Sequence, residues 1–164
     1  MRISDILNEA ITEQVTVFYG GRFQPMHKGH YALYERLVQR FGSNNVFIAT
    51  TIANNVDLVK NPFTFEEKAS IASRMFGIDK NQIINTSPYR PEIEKTGRKP
   101  SETAMVLAFS EKDAGRLKES DVLKKFPEDG KNLQTIDENR VYFLSMPVNE
   151  GGMSATDFRA VMAT

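Results

Sequence analysis

Val15-Thr16-Val17-Phe18-Tyr19-Gly20-Gly21-Arg22-Phe23-Gln24-Pro25-Met26-His27-Lys28-Gly29-His30 holds the reading of the whole chain. Its first five residues are β-branched or aromatic and stop at a glycine pair, which reads as a buried strand. From His30 onward the apolar positions change period. His30, Leu33, Tyr34, Leu37, Val38 and Phe41 fall at i, i+3, i+4, i+7, i+8 and i+11, and Gly42 follows, so an amphipathic helix starts near His30 and ends at Phe41. A strand feeding a helix through a glycine turn is the opening unit of a parallel α/β sheet.

The rest of the chain repeats that alternation. Val46-Phe47-Ile48-Ala49 is a second apolar strand, and Thr64 with Glu67 has capping-box spacing for a helix that Gly77 ends. Ile83-Ile84 is a short strand, Ala104 to Phe109 a continuous apolar one, and Val141 to Leu144 another. Asn85 to Ser101, with three prolines, and the charged stretch Leu117 to Asn139 read as loops with short helices. Ser154 to Asp157 opens a last helix, and Ile3, Ile6, Leu7, Ala10 and Ile11 mark a leading one. The expected fold is therefore α/β: one doubly wound, Rossmann-like parallel sheet with helices on both faces, in a single domain over residues 15–164 behind a short amphipathic helix over 1–14. Ligands of such sheets bind beyond the carboxyl ends of the strands, which selects Gly20 to His30, Ser110 to Arg116 and Met146 to Arg159.

Composition narrows the chemistry. The 164 residues are 40% hydrophobic and 26% charged, an ordinary globular balance. Lys and Arg number 21 against 21 Asp and Glu, so the basic excess of a nucleic-acid binder is missing. The sequence has no cysteine, which removes disulfides, thiolate metal sites and cysteine nucleophiles. His27 and His30 are its two histidines, too few for a histidine metal cluster, and no metal site is expected. No apolar run approaches the roughly 18 residues of a membrane span, and the leading segment lacks a secretory core. The expectation is a cytoplasmic protein with no membrane or nucleic-acid partner.

Within the selected segments, Gly20, Gly21 and Gly29 allow close backbone approach to a ligand, and a helix N-terminus offers free N–H groups and partial positive charge. His27 and His30 stand three apart at that terminus and can point the same way, with Arg22 and Lys28 adding charge. Such a cradle suits a phosphate chain gaining charge in a transition state. Neither a P-loop nor a G-x-G-x-x-G pattern occurs.

His27-Lys28-Gly29-His30 is an HxGH motif. The string Gly21 to His30 resembles the nucleotidylyltransferase superfamily, and within it the nicotinamide mononucleotide adenylyltransferases of the archaeal and bifunctional bacterial type. Met153-Ser154-Ala155-Thr156-Asp157-Phe158-Arg159 is similar to the superfamily's second motif, and Lys60-Asn61-Pro62-Phe63-Thr64 to its segment after the second strand. The three matches stand in the expected order over most of the chain. The resemblance implies attack of an acceptor phosphate on the α-phosphorus of ATP, with Mg²⁺ and release of pyrophosphate; nicotinamide mononucleotide would be the acceptor and NAD the product. His27 and His30 would be catalytic. Gly20, Gly21, Arg22, Phe23, Gly29, Ser154, Thr156 and Arg159 would bind nucleotide and phosphate. Lys60, Asn61, Tyr89, Ser110 and Lys112 are further candidates for substrate contact, Tyr89 standing in for the tryptophan this chain lacks.

Other readings stay open. A cytidylyltransferase acting on another phosphorylated small molecule is the nearest alternative, although such enzymes commonly carry G-T-F-D where this chain has Gly21-Arg22-Phe23-Gln24. A catalytically idle nucleotide-binding relative is another. His27 and His30 could serve as helix cap and core histidine, Ser110 to Asp113 could be an ordinary strand-to-helix turn, and Glu94 to Lys99 reads as a solvated loop. Leu7-Asn8-Glu9 and Ile11-Thr12-Glu13 resemble prohead-protease cleavage sites of tailed phages, which would make the leading helix a virion-packaging leader in a phage-encoded protein. An ordinary helix is the alternative there, and a homo-oligomer is left open.

Overall fold

The computed structural model describes residues 15–51, 63–115 and 117–148. Six strands form one sheet: β1 (Val15–Gly20), β2 (Val46–Thr50), β3 (Ile83–Asn85), β4 (Ala104–Ser110), β5 (Leu123–Lys125) and β6 (Val141–Met146). Their order is β3-β2-β1-β4-β6-β5, and every pairing is parallel. The chain winds outward from β1 to β3, then crosses to β4 on the other side of β1. The β1/β4 junction is thus the topological switch point, and Val15↔Ala104 through Tyr19↔Ala108 is its register.

Two long helices complete the first half, α1 (Lys28–Phe41) and α2 (Phe65–Phe76). Both expected boundaries hold for physical reasons that the sequence carries. Thr64 accepts from the Glu67 N–H while the Glu67 carboxylate accepts from the Thr64 N–H, and Gly77 takes the left-handed conformation at φ 69° that ends α2. Val17, Tyr19, Val46, Ile48, Val106 and Ala108 pack beneath Leu33, Leu37, Ala69 and Ala72 of these helices.

The opposite face is covered differently. Phe18, Phe47, Met105, Leu107 and Phe109 lie under Ile93, from a 3₁₀ turn (Ile93–Thr96), and Ala114, from the four-residue helix α3 (Glu111–Ala114), with Ile136 of a second 3₁₀ turn packed beside them. Prolines 88, 91 and 100 keep the β3–β4 connection from forming a long helix. The sheet is nonetheless buried on both faces along β1, β2 and most of β4, as the unbroken apolar runs require.

Two expectations need correction. Leu117 to Asn139 contains an edge strand, β5, which pairs in parallel with β6. Leu-Lys-Lys carries no strand pattern, so only pairing with β6 makes it one. Glu94 to Lys99 is not a merely solvated loop: Arg98 turns inward and donates to Val15 O at 2.9 Å, Thr16 Oγ1 at 3.0 Å, and Asn44 O and Asn45 Oδ1 at 2.7 Å each. The leading and last helices lie outside the described residues. So does the proposed domain boundary at residue 14 on its N-terminal side. No helix among the described residues is long and apolar enough to cross a membrane.

Candidate active site

The turn between β1 and α1 lies at the switch point, and packing shapes it. A Cβ on Gly20 would stand 2.6 Å from both Phe109 Cε1 and Pro88 Cβ; one on Gly21 would stand 2.8 Å from Phe23 Cζ. Both contacts are closer than real Cβ atoms show, so a side chain at Gly20 would collide with Pro88 and Phe109, and one at Gly21 would displace the Phe23 ring. Phe23 folds inward at φ 48° and is buried, its ring edge-on to Tyr19 at 5.1 Å and to His30 at 4.9 Å. Non-glycine residues rarely adopt such a φ, and burial of the ring holds it there.

The turn is anchored from below at two points. The Gln24 amide bonds both backbone groups of Phe63, accepting from its N–H at 2.8 Å and donating to its carbonyl at 3.2 Å. The Arg22 carbonyl accepts from Thr50 Oγ1 at 3.1 Å and from Lys68 Nζ at 3.0 Å. Lys68 also donates to Thr50 Oγ1 at 2.8 Å and Thr51 O at 3.1 Å. None of Gln24, Thr50 or Lys68 was among the candidate residues. One signal for Lys68 was visible: Phe65, Lys68, Ala69, Ala72 and Phe76 share one helical face, and a lysine on that apolar stripe must find oxygen partners.

His27 and His30 form the cap of α1. His27 Nδ1 accepts from the Gly29 N–H at 3.0 Å and the His30 N–H at 3.4 Å, while His30 Nδ1 accepts from the His27 N–H at 3.1 Å. The rings stack with centroids 3.7 Å apart and planes 17° from parallel. The capping role and a phosphate-binding role therefore use different nitrogens. Because each Nδ1 is an acceptor, the neutral ring carries its proton on Nε2, an assignment that follows from the bonding pattern. Burial, with a smaller contribution from His27, pushes the His30 imidazole down to about 3. Near neutral pH His30 is an uncharged N–H donor.

The other candidates divide by position. Arg22 is exposed on the turn, and Gly29 is buried in the first turn of α1. Tyr89 comes to the same edge: the residue is 38% exposed, and its ring stacks on Phe109 at 5.0 Å and 16°. Ser110 ends β4 and donates from Oγ to Asp113 Oδ2 at 3.3 Å, and Lys112 is exposed on α3. That segment joins the end of β4 to α3. Lys60, Asn61, Ser154, Thr156 and Arg159 lie outside the described residues. Among the described residues no three His, Asp or Glu side chains cluster as a metal cage.

A parallel sheet with an HxGH turn at its switch point defines a nucleotidyltransferase-type domain. Residues 18–160 match the family described as cytidylyltransferase-like, most of the chain, and the protein belongs to that family. A comparison with curated proteins finds no match. The fold and the superfamily expected from the sequence are thereby shown, and the family supports nucleotidyl transfer as the general activity.

Proposed function

We propose that the protein transfers AMP from ATP to nicotinamide mononucleotide, giving NAD and pyrophosphate. An oxygen of the acceptor phosphate forms a bond to the α-phosphorus, and the bond from that phosphorus to the β-bridging oxygen breaks, the electron pair leaving with pyrophosphate. Such a transfer needs positioning and charge stabilisation more than covalent chemistry by the protein. The observation that carries the reading is the stacked histidine pair, whose capping bonds fix both rings as Nε2–H donors beside a helix N-terminus. Arg22 would neutralise phosphate charge on the exposed side of the turn, with Ser154, Thr156 and Arg159 completing the triphosphate contacts. Lys60 and Asn61 would meet the acceptor, and Ser110 and Lys112 the nucleotide edge. Mg²⁺ would accompany the triphosphate and offset part of its charge.

The Gly21-Arg22-Phe23-Gln24 string favours an adenylyl donor, and Tyr89 stacked on Phe109 offers an aromatic surface to a base or pyridine ring. The family description favours a second reading, cytidylyl transfer to another phosphorylated small molecule. Calorimetric titration with each nucleotide separates the two. Backbone groups near Phe109 to Asp113 and Met146 to Val148 can read the adenine amino edge, and one or two buried hydrogen bonds left unmade by cytosine amount to roughly tenfold or more. Equal affinities, or a preference for CTP, would overturn the adenylyl reading and support the second. Pyrophosphate release with ATP and each of several phosphorylated acceptors then identifies the acceptor.

A further inference from the structure

We propose that Lys68 is a positioning residue of the phosphate cradle, its ammonium holding the Arg22 carbonyl inward so that the next amide faces the ligand and placing a fixed positive charge under the turn. The proposal rests on the reading of the turn as a phosphate site. Lys68 is 3% exposed, and its three N–H donors are matched by three oxygens, Arg22 O, Thr50 Oγ1 and Thr51 O. No acid lies within ion-pair distance of it among the described residues: its helix neighbours Glu66 and Glu67 are exposed, and the turn packed on it contributes Arg22, His27 and His30, none of them acidic. A buried cation held by neutral oxygens is costly, and an apolar side chain on the same helical stripe would avoid that cost.

Peptide geometry shows what the charge does. The Arg22–Phe23 bond is trans, so the Arg22 carbonyl and the Phe23 N–H point in opposite directions. With the carbonyl drawn down to Lys68 and Thr50, the Phe23 N–H faces away from the core. It takes no hydrogen-bond partner among the described residues. That amide and the charge beneath it are a preorganised response to an anion. Burial lowers the Lys68 ammonium to about 8, so this charge can be removed within an accessible pH range.

The test uses inorganic tripolyphosphate and the full chain. At pH 7 the Lys68→Met variant should bind it about tenfold more weakly than the parent, and at pH 9 the gap should shrink to about twofold, because the free parent lysine has then largely lost its proton. Comparing the two proteins cancels the titration of the probe itself. A ratio that is the same at both pH values, or affinities that are equal at pH 7, would overturn the proposal. Should Lys68→Met fail to fold, the parent alone decides: by linkage, a tenfold preference of the anion for the charged lysine raises its pKa by one unit on binding. That shift is readable by ¹⁵N NMR of the ammonium, and an unmoved pKa rejects the coupling. If the parent binds no tripolyphosphate, the phosphate-site reading itself fails and takes this inference with it; binding without Lys68 dependence refutes the inference alone.

Discussion

Lys68 and Arg98 perform the same construction at opposite ends of the sheet. Each is a cation half or fully withdrawn from water, each donates to backbone carbonyls and a threonine hydroxyl, and neither meets a carboxylate among the described residues. Arg98 ties the start of β1 to the turn before β2, and its guanidinium stands over the Phe47 ring at 5.5 Å. Lys68 ties the turn after β1 to the end of β2. Burial lowers both groups, but only the lysine comes near physiological pH, because a guanidinium starts so much higher. The amino end of the sheet thus has a clamp whose charge is permanent. The carboxyl end, where the histidines stand, has one that titrates.

The comparison breaks most visibly at the histidines. His30→Ala should lower turnover by about two orders of magnitude or more with far-UV circular dichroism retained, the loss expected for one transition-state donor. Pyrophosphate release at the parental rate would remove His30 from the chemistry. At the other end, Arg98→Met should destabilise the fold by about 2 kcal/mol, since it strands buried acceptors, and leave kcat and KM at parental values below the melting range. Denaturant titration and steady-state kinetics on the same preparation check both halves of that statement.

The pH dependence of stability sharpens the contrast with a smaller effect. His30 holds about 3 in the fold against 6.5 unfolded, so between those values the unfolded chain binds the extra proton. Stability should fall as pH drops below about 6.5, at up to roughly 1.4 kcal/mol per pH unit. Lys68 holds about 8 against 10.5, and by the same sign stability should rise with pH through that window. The rise should be missing from Lys68→Met and preserved in Arg98→Met; melts of all three proteins from pH 5 to 10 decide it. Smallest is Thr50→Val, which removes the hydroxyl shared by Lys68 and the Arg22 carbonyl and should cost about 1 kcal/mol in the same denaturant titration. A loss no larger than that of an exposed threonine would show the lysine holding the turn alone.

What the sequence by itself determined is what neighbours along the chain can encode. Period and propensity placed β1, β2, β4, β6, α1 and α2 to within a residue or two. The Thr64–Glu67 box and Gly77 set the ends of α2, and the HxGH string supplied the superfamily, all from interactions that close within one helical turn or one strand. Tertiary structure alone decided the remainder, because each piece of it joins residues far apart in sequence. β5 exists only through β6. Gly20 is obligatory because Pro88 and Phe109 arrive beside it. Tyr89 reaches the carboxyl edge of the sheet by stacking on Phe109, and Arg98 and Lys68 become clamps only when their carbonyls are brought to them. Whether a buried lysine is a defect or a device depends on where its three hydrogen bonds go, and only the folded chain supplies those acceptors.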